Sequence, residues 1–256
     1  MKNIAILLCG EMRNNMLSLN PINSKFTDTF YKNVITQEVR NNYNIHIFIV
    51  SDNGNIETII QYFKELKNLY LMNINYTHIN TLLEIESEDY YKNLYIDTYQ
   101  NSKFTIYPTA IQQYYKIYLC YLLMKDYEKK NINFDYIMRC RLDSIFFNIN
   151  FISIIDNLNN IINEKIYLDG DWFIFGTYKI MSEYSKLLLT YGNFNLIDSN
   201  NCNNNIDLNR WNHAPETQLM ELLIKYCKNN SLEIDNTIID MRKTKRICSL
   251  SRWDKY

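Results

Sequence analysis

Two unbroken apolar runs frame the chain: Ile4 to Cys9, which stops at Gly10, and Ile45 to Val50, which stops at Ser51-Asp52-Asn53-Gly54. A segment apolar at every position suits a strand buried on both faces, as in a parallel sheet, and the polar residues behind it mark its end. Between the two, Thr27 to Arg40 carries apolar residues at helical spacing (Phe30, Val34 and, further on, Val39), so strand, helix and strand open an α/β fold. Ile56 to Leu66 repeats the helical stripe through Ile59, Ile60, Phe63 and Leu66, and Leu69 to Ile74 predicts a third strand.

Residues 75 to 108 are less regular, with an acidic, tyrosine-rich stretch from Glu84 to Tyr99 that reads as a short helix and a loop. The clearest helix runs from Thr109 to Lys129 behind Pro108, with Ile111, Tyr115, Tyr118, Leu119, Leu122, Leu123 and Met124 as its broad apolar face. It leads into a strand from Phe134 to Arg139 and then into Cys140-Arg141-Leu142-Asp143-Ser144-Ile145-Phe146-Phe147, where charges interrupt a buried run. Beyond it the pattern predicts a helix over Phe151 to Ile162, strands over Lys165 to Leu168 and Trp172 to Phe175, and an amphipathic helix over Lys179 to Leu189. Residues 193 to 212 are rich in Asn, and an irregular loop of that length in a compact domain is usually functional or mobile. Pro215 starts a helix through Tyr226 with Glu216 in its first turn, and the tail alternates short strand-like runs with a basic patch, Arg242 to Arg246.

With 256 residues, 47% of them hydrophobic, the chain can bury one large core, and one elaborated domain is expected. Lys and Arg number 27 against 28 Asp and Glu, without a like-charge block, so no nucleic-acid footprint is present. The apolar runs fall short of the roughly 20 residues a bilayer needs, and MKNIAILLCGEMR reads as a strand, neither signal nor anchor. Six cysteines without a CxxC pair fit reduced thiols in a cytoplasmic setting, where the acceptor patterns at Asn75 and Asn229 are accidental. The bias toward Asn, Ile, Tyr and Lys points to an AT-rich genome and would suit an intracellular parasite or a large DNA virus working in its host's cytoplasm. A chain with only five glycines keeps one where the backbone requires it, which draws attention to Gly10, Gly170 and Gly176.

The same scarcity excludes GxGxxG and GxxxxGK[ST], no GxSxG elbow exists, and three histidines (His46, His78, His213) are too few for a multi-histidine metal site. What survives is Arg139-Cys140-Arg141-Leu142-Asp143 behind a hydrophobic strand, where a sheet delivers residues to its carboxyl edge. In an extended segment alternate side chains point the same way. Two guanidinium forks and a carboxylate so aligned suit a diphosphate and a divalent ion bridging it; an Arg-Asp ion pair at a strand end is the plainer reading.

Here the sequence resembles a family. CGEMR after the first strand resembles the small-Gly-polar-x-Arg turn of GT-A glycosyltransferase-like proteins, and QQYYKIYLCYLLMKDYEKKNINFDYIMRCRLDSIF resembles their helix, short turn and strand leading into an Arg-x-Asp element. GDWFIFG with the helix at Met181 to Leu189, and then HAPETQL, resemble the later blocks, in the same order and over most of residues 4 to 224. The resemblance implies a Rossmann-like, mixed and mostly parallel sheet flanked by helices, in one domain over 1–256 with a nucleotide-binding half at about 1–147 and an acceptor half at about 148–256. It implies a glycosyltransferase moving a sugar from a nucleotide diphosphate donor, UDP-sugar favoured, to a hydroxyl of a glycan or protein. GT-A enzymes usually carry Asp-x-Asp for metal and diphosphate, whereas Arg141 stands in the first place here. A cation there neutralises phosphate directly, so Asp143 is left to hold Mn²⁺ or Mg²⁺, and metal dependence is an open expectation.

The other candidates each have two readings. Gly10, Glu11 and Arg13 follow the first strand and would contact the nucleotide, or form a tight turn in which Arg13 pairs with an acidic neighbour. Asp52 would accept from ribose or base, yet it is equally a turn former. Gln112 and Lys116 share a helix face that reaches sugar or phosphates, or is simply solvated. Asp171 beside Trp172 can grip a sugar through hydroxyl hydrogen bonds and ring stacking, or begin a strand beside a core Trp. Glu216 is either favoured by the helix dipole alone or is the base that deprotonates the acceptor, and His213 is a substrate contact, a metal ligand or polar surface. Two rivals complete the reading: a nucleotidyltransferase of nucleotide-sugar synthesis, which generally needs a glycine-rich phosphate turn that is missing here, and a catalytically silent sugar-binding module.

Overall fold

A computed structural model describes residues 1–9, 25–52, 61, 63, 68–74, 108–129, 132–142, 144–147, 150–159, 164–170, 172–186, 215–240 and 248–250. The strands are β1 (Lys2–Cys9), β2 (Tyr43–Asp52), β3 (Leu69–Ile74), β4 (Tyr136–Cys140), β5 (Ser144–Phe146), β6 (Ile166–Asp169), β7 (Phe173–Thr177), β8 (Ile238–Asp240) and β9 (Cys248–Leu250). The helices are α1 (Lys25–Asn33), α2 (Gln37–Asn42), α3 (Pro108–Glu128), α4 (Phe151–Asn159), α5 (Tyr178–Ser185), α6 (Pro215–Asn229) and α7 (Ile234–Thr237).

Ile4 through Cys9 have no exposure, because β1 sits between two parallel neighbours, with Ile4 opposite both Ile45 of β2 and Tyr136 of β4. β3 adds a parallel strand beyond β2. On the other flank β7 runs antiparallel to β4 and to β6, and β8 lies parallel to β6. The order β3-β2-β1-β4-β7-β6-β8 is therefore the mixed, mostly parallel α/β sheet expected from the sequence, and strands from both halves of the chain complete it. β5 and β9 pair antiparallel as a separate two-stranded ribbon.

Alternation along the strands builds one core on each face. Ile4, Ile6 and Leu8 join Phe30 of α1, Val39 of α2 and Phe151 and Ile155 of α4; Ala5, Leu7 and Cys9 join Ile117 and Cys120 of α3, Ile180 of α5 and Leu223 of α6. No described helix is long and apolar enough to cross a membrane.

The stripe over Thr27 to Arg40 is divided between α1 and α2, because the Thr36 hydroxyl accepts from the Val39 backbone N–H at 3.2 Å and starts a new helix. The Ile56 to Leu66 helix, the 75 to 107 stretch and the Asn-rich loop at 193 to 212 lie wholly or mostly outside the described residues. Two of the scarce glycines have backbone reasons. Gly170 takes φ +61° in the turn between β6 and β7, and a Cβ on Gly176 would lie 2.6 Å from the Lys165 carbonyl oxygen.

Candidate nucleotide crevice

Strand order reverses between β1 and β4: the sheet grows toward β2 and β3 on one side and toward β7, β6 and β8 on the other. At such a switch point the connections leave in opposite directions, and the gap beyond the carboxyl ends of the two strands accepts a ligand. Those ends are Cys9 and Cys140, so the predicted Gly10, Glu11 and Arg13 follow one rim in sequence and Arg141 follows the other. Gly10, Glu11 and Arg13 lie outside the described residues.

Arg139 lies opposite Leu7 of β1 and Ile174 of β7, both in the core beneath α3, α5 and α6, so the pleat turns its side chain to that face. It has no solvent exposure at all. Arg141 is half-buried, and its guanidinium donates to the Gln113 side-chain oxygen of α3 at 3.4 Å. Both cations therefore address the α3 side, as their alternate spacing predicts. Of the two, Arg141 is the one open to solvent.

Helix α3 crosses the sheet at Cys120, whose thiol donates to the Phe48 carbonyl of β2 at 3.0 Å and lies 3.9 Å from the Leu8 carbonyl of β1. Complete burial and the adjacent Cys9 thiol push Cys120 well above the usual thiol range, so it remains protonated as a packing group. Lys116, about one turn earlier, is 5% exposed. The helix face holding Gln113, Lys116 and Cys120 thus turns toward the sheet, and Lys116 belongs to the interior side rather than to a solvated surface. Lys116 of α3, Arg139 and Arg141 thus lie on the α3 side of the sheet.

The turn between β6 and β7 forms the neighbouring wall. The Trp172 N–H donates to the Asp169 carbonyl at 3.4 Å across Gly170, and the Trp172 carbonyl in turn accepts from the Arg141 N–H at 3.3 Å. Trp172 is half-buried and packs on the core shared with α1 and α4. Asp169, fully buried at the end of β6, lies one residue past the apolar run that predicts the strand. Gln113, the α3 residue that meets Arg141, stands one position from the predicted Gln112, and no sequence pattern separates the two.

Asp52 ends β2 at the same edge, Gln112 stands on α3, and Glu216 is the second residue of α6, in the same helical layer as α3; their side chains lie outside the described set. Asp143, Asp171 and His213 are outside the described residues altogether. Among the described residues no group of three or more His, Cys, Asp or Glu is gathered to hold a metal ion.

No family model matches the sequence, and no curated protein matches it. Among solved structures, the apo form of mouse xyloside xylosyltransferase 1 is similar at 12% identity and a TM-score of 0.34, over 66% of this chain and 52% of that one. The chain thus spans about half the length of that protein. A protein of Desulfovibrio desulfuricans G20 described as a nucleotide-diphospho-sugar transferase is similar at 9% identity and a TM-score of 0.41, over 94% of this chain and 80% of that one.

Proposed function

We propose that the chain is a GT-A-like glycosyltransferase that moves a sugar from a nucleotide diphosphate donor, UDP-sugar by preference, to a hydroxyl of a glycan or protein. The observation that carries the reading is the placement of Arg141, with Lys116 and Arg139 behind it, at the carboxyl edge where the strand order reverses. The diphosphate leaves with added negative charge, and cations held in place before the reaction oppose that charge without reorganising. Arg141 is the group for direct phosphate contact. Arg139 and Lys116 lie buried behind it.

Around this centre the remaining residues take proposed roles. Gly10, Glu11 and Arg13 would line the nucleotide from the β1 side, Asp52 the ribose or base, and Gln112 the sugar or phosphates. Asp171 and Trp172 would orient sugars, His213 the acceptor, and Glu216 would take the proton from the attacking hydroxyl. Asp143 is the proposed ligand for Mn²⁺ or Mg²⁺, which would add charge opposite the diphosphate. The setting proposed is cytoplasmic.

Incubating the protein with a panel of nucleotide sugars and acceptors, with and without Mn²⁺, tests the assignment. Release of nucleoside diphosphate coupled to a glycosylated product supports it. Pyrophosphate release from a nucleoside triphosphate and a sugar phosphate would identify a nucleotidyltransferase instead, and sugar binding without turnover of any donor would identify a silent module.

A further inference from the structure

We infer that Thr29 and Asn33 of α1 are positioning residues for Arg141, acting through β5; the inference rests on the donor-site reading of Arg141. Among the described residues β5 is three residues long and pairs with three residues of β9, and a two-stranded ribbon of that size does not hold its own geometry in water. Its other edge is gripped by a helix. The Thr29 hydroxyl accepts from the Phe146 N–H at 3.0 Å, and the Asn33 side-chain amide donates to the Phe146 carbonyl at 2.7 Å. Asn33 is buried, at 7% exposure, so this bond is sheltered from competing water. The Phe30 ring of the same helix packs on the Phe146 ring at 5.6 Å. α1 therefore supplies a donor, an acceptor and an aromatic contact to one residue of β5, as a neighbouring strand would.

The consequence reaches the crevice through the backbone. The Ser144 N–H, at the start of β5, donates to the Arg141 carbonyl at 3.2 Å, while the Arg141 N–H is held by the Trp172 carbonyl at 3.3 Å. Arg141 lies past the end of β4, so the main sheet does not set its position by ladder pairing. It is set by the β6–β7 turn on one side and by β5 on the other, and β5 is placed by α1. An ångström of drift in a phosphate-binding cation is enough to weaken a site built on charge and direction.

The test is uridine diphosphate affinity by calorimetry on the full chain, with unfolding measured alongside. Thr29→Val keeps shape and removes the acceptor, Asn33→Leu removes the donor, and Thr29→Ser keeps the hydroxyl; Arg141→Ala reports on the site itself. Expected are dissociation constants raised about tenfold in folded Thr29→Val and Asn33→Leu and a value close to the parent's in Thr29→Ser. If Arg141→Ala loses affinity while Thr29→Val and Asn33→Leu, even with lowered unfolding midpoints, bind as the parent does, the two residues only stabilise the fold and the inference is overturned. If Arg141→Ala also binds as the parent does, the donor-site reading falls with it.

Discussion

The two arginines of the Arg-Cys-Arg element differ in burial, one fully buried and one half-buried, and this separates binding from stability by a single substitution at each. Arg141 is half-buried and its guanidinium donates to Gln113 at a long 3.4 Å. Truncating it to Ala should cost the fold less than truncating a fully buried arginine, since a half-buried side chain gives up less burial and desolvates less charge. The same truncation removes a charge-assisted hydrogen bond to phosphate of about 1.5 to 3 kcal/mol, a roughly 10- to 150-fold rise in the dissociation constant for uridine diphosphate. Arg139 has no exposure and sits in the α3-facing core between Leu7 and Ile174. Arg139→Ala opens a cavity and strands the groups that compensate its charge, at a cost of about 3 to 5 kcal/mol, a large part of a domain's total of about 5 to 15 kcal/mol. Calorimetric titration with uridine diphosphate and urea unfolding, run on both variants, read the two effects separately. Unchanged affinity in Arg141→Ala would refute its place at the diphosphate, and parental stability in Arg139→Ala would refute the argument from burial.

Three further outcomes are expected. Glu216→Gln keeps size and hydrogen bonding but loses basicity, so transfer should fall about 100-fold or more with donor affinity retained; near-parental transfer removes Glu216 from the role of base. Gly176→Ala forces a Cβ to 2.6 Å from the Lys165 carbonyl and so requires backbone movement, whereas Gly170→Ala meets no atom within 4 Å and costs only the left-handed strain of about 1 to 2 kcal/mol. Thermal unfolding should rank Gly176→Ala as the more damaging, and the opposite order refutes the packing argument. His46, 5% exposed among Tyr70, Tyr127 and Phe134, has its pKa lowered below 6.5 by desolvation. The unfolded chain then takes up a proton that the folded one refuses, so stability should fall as pH drops from 6.5 toward the folded value; His46→Phe should flatten that part of the urea-unfolding profile, and an unaltered slope contradicts it.

The sequence alone determined the strands and helices whose cause is local. Ile4 to Cys9 must be a doubly buried strand because six consecutive apolar residues have no polar face to offer water, and the long helix behind Pro108 follows from its start signal and broad apolar stripe. The common direction of Arg139 and Arg141 was also legible, since a pleat alternates whatever surrounds it. Depth was not. Arg139 is interior because its side chain joins the core between the sheet and α3, α5 and α6, and Lys116 is buried because α3 presents that face to the sheet. The tertiary structure likewise decided that β7 enters antiparallel between β4 and β6, and that Thr29 and Asn33, more than a hundred residues from Phe146 in the chain, meet its backbone. Such pairings depend on which segments are brought together across long separations, and local periodicity holds no information about that choice.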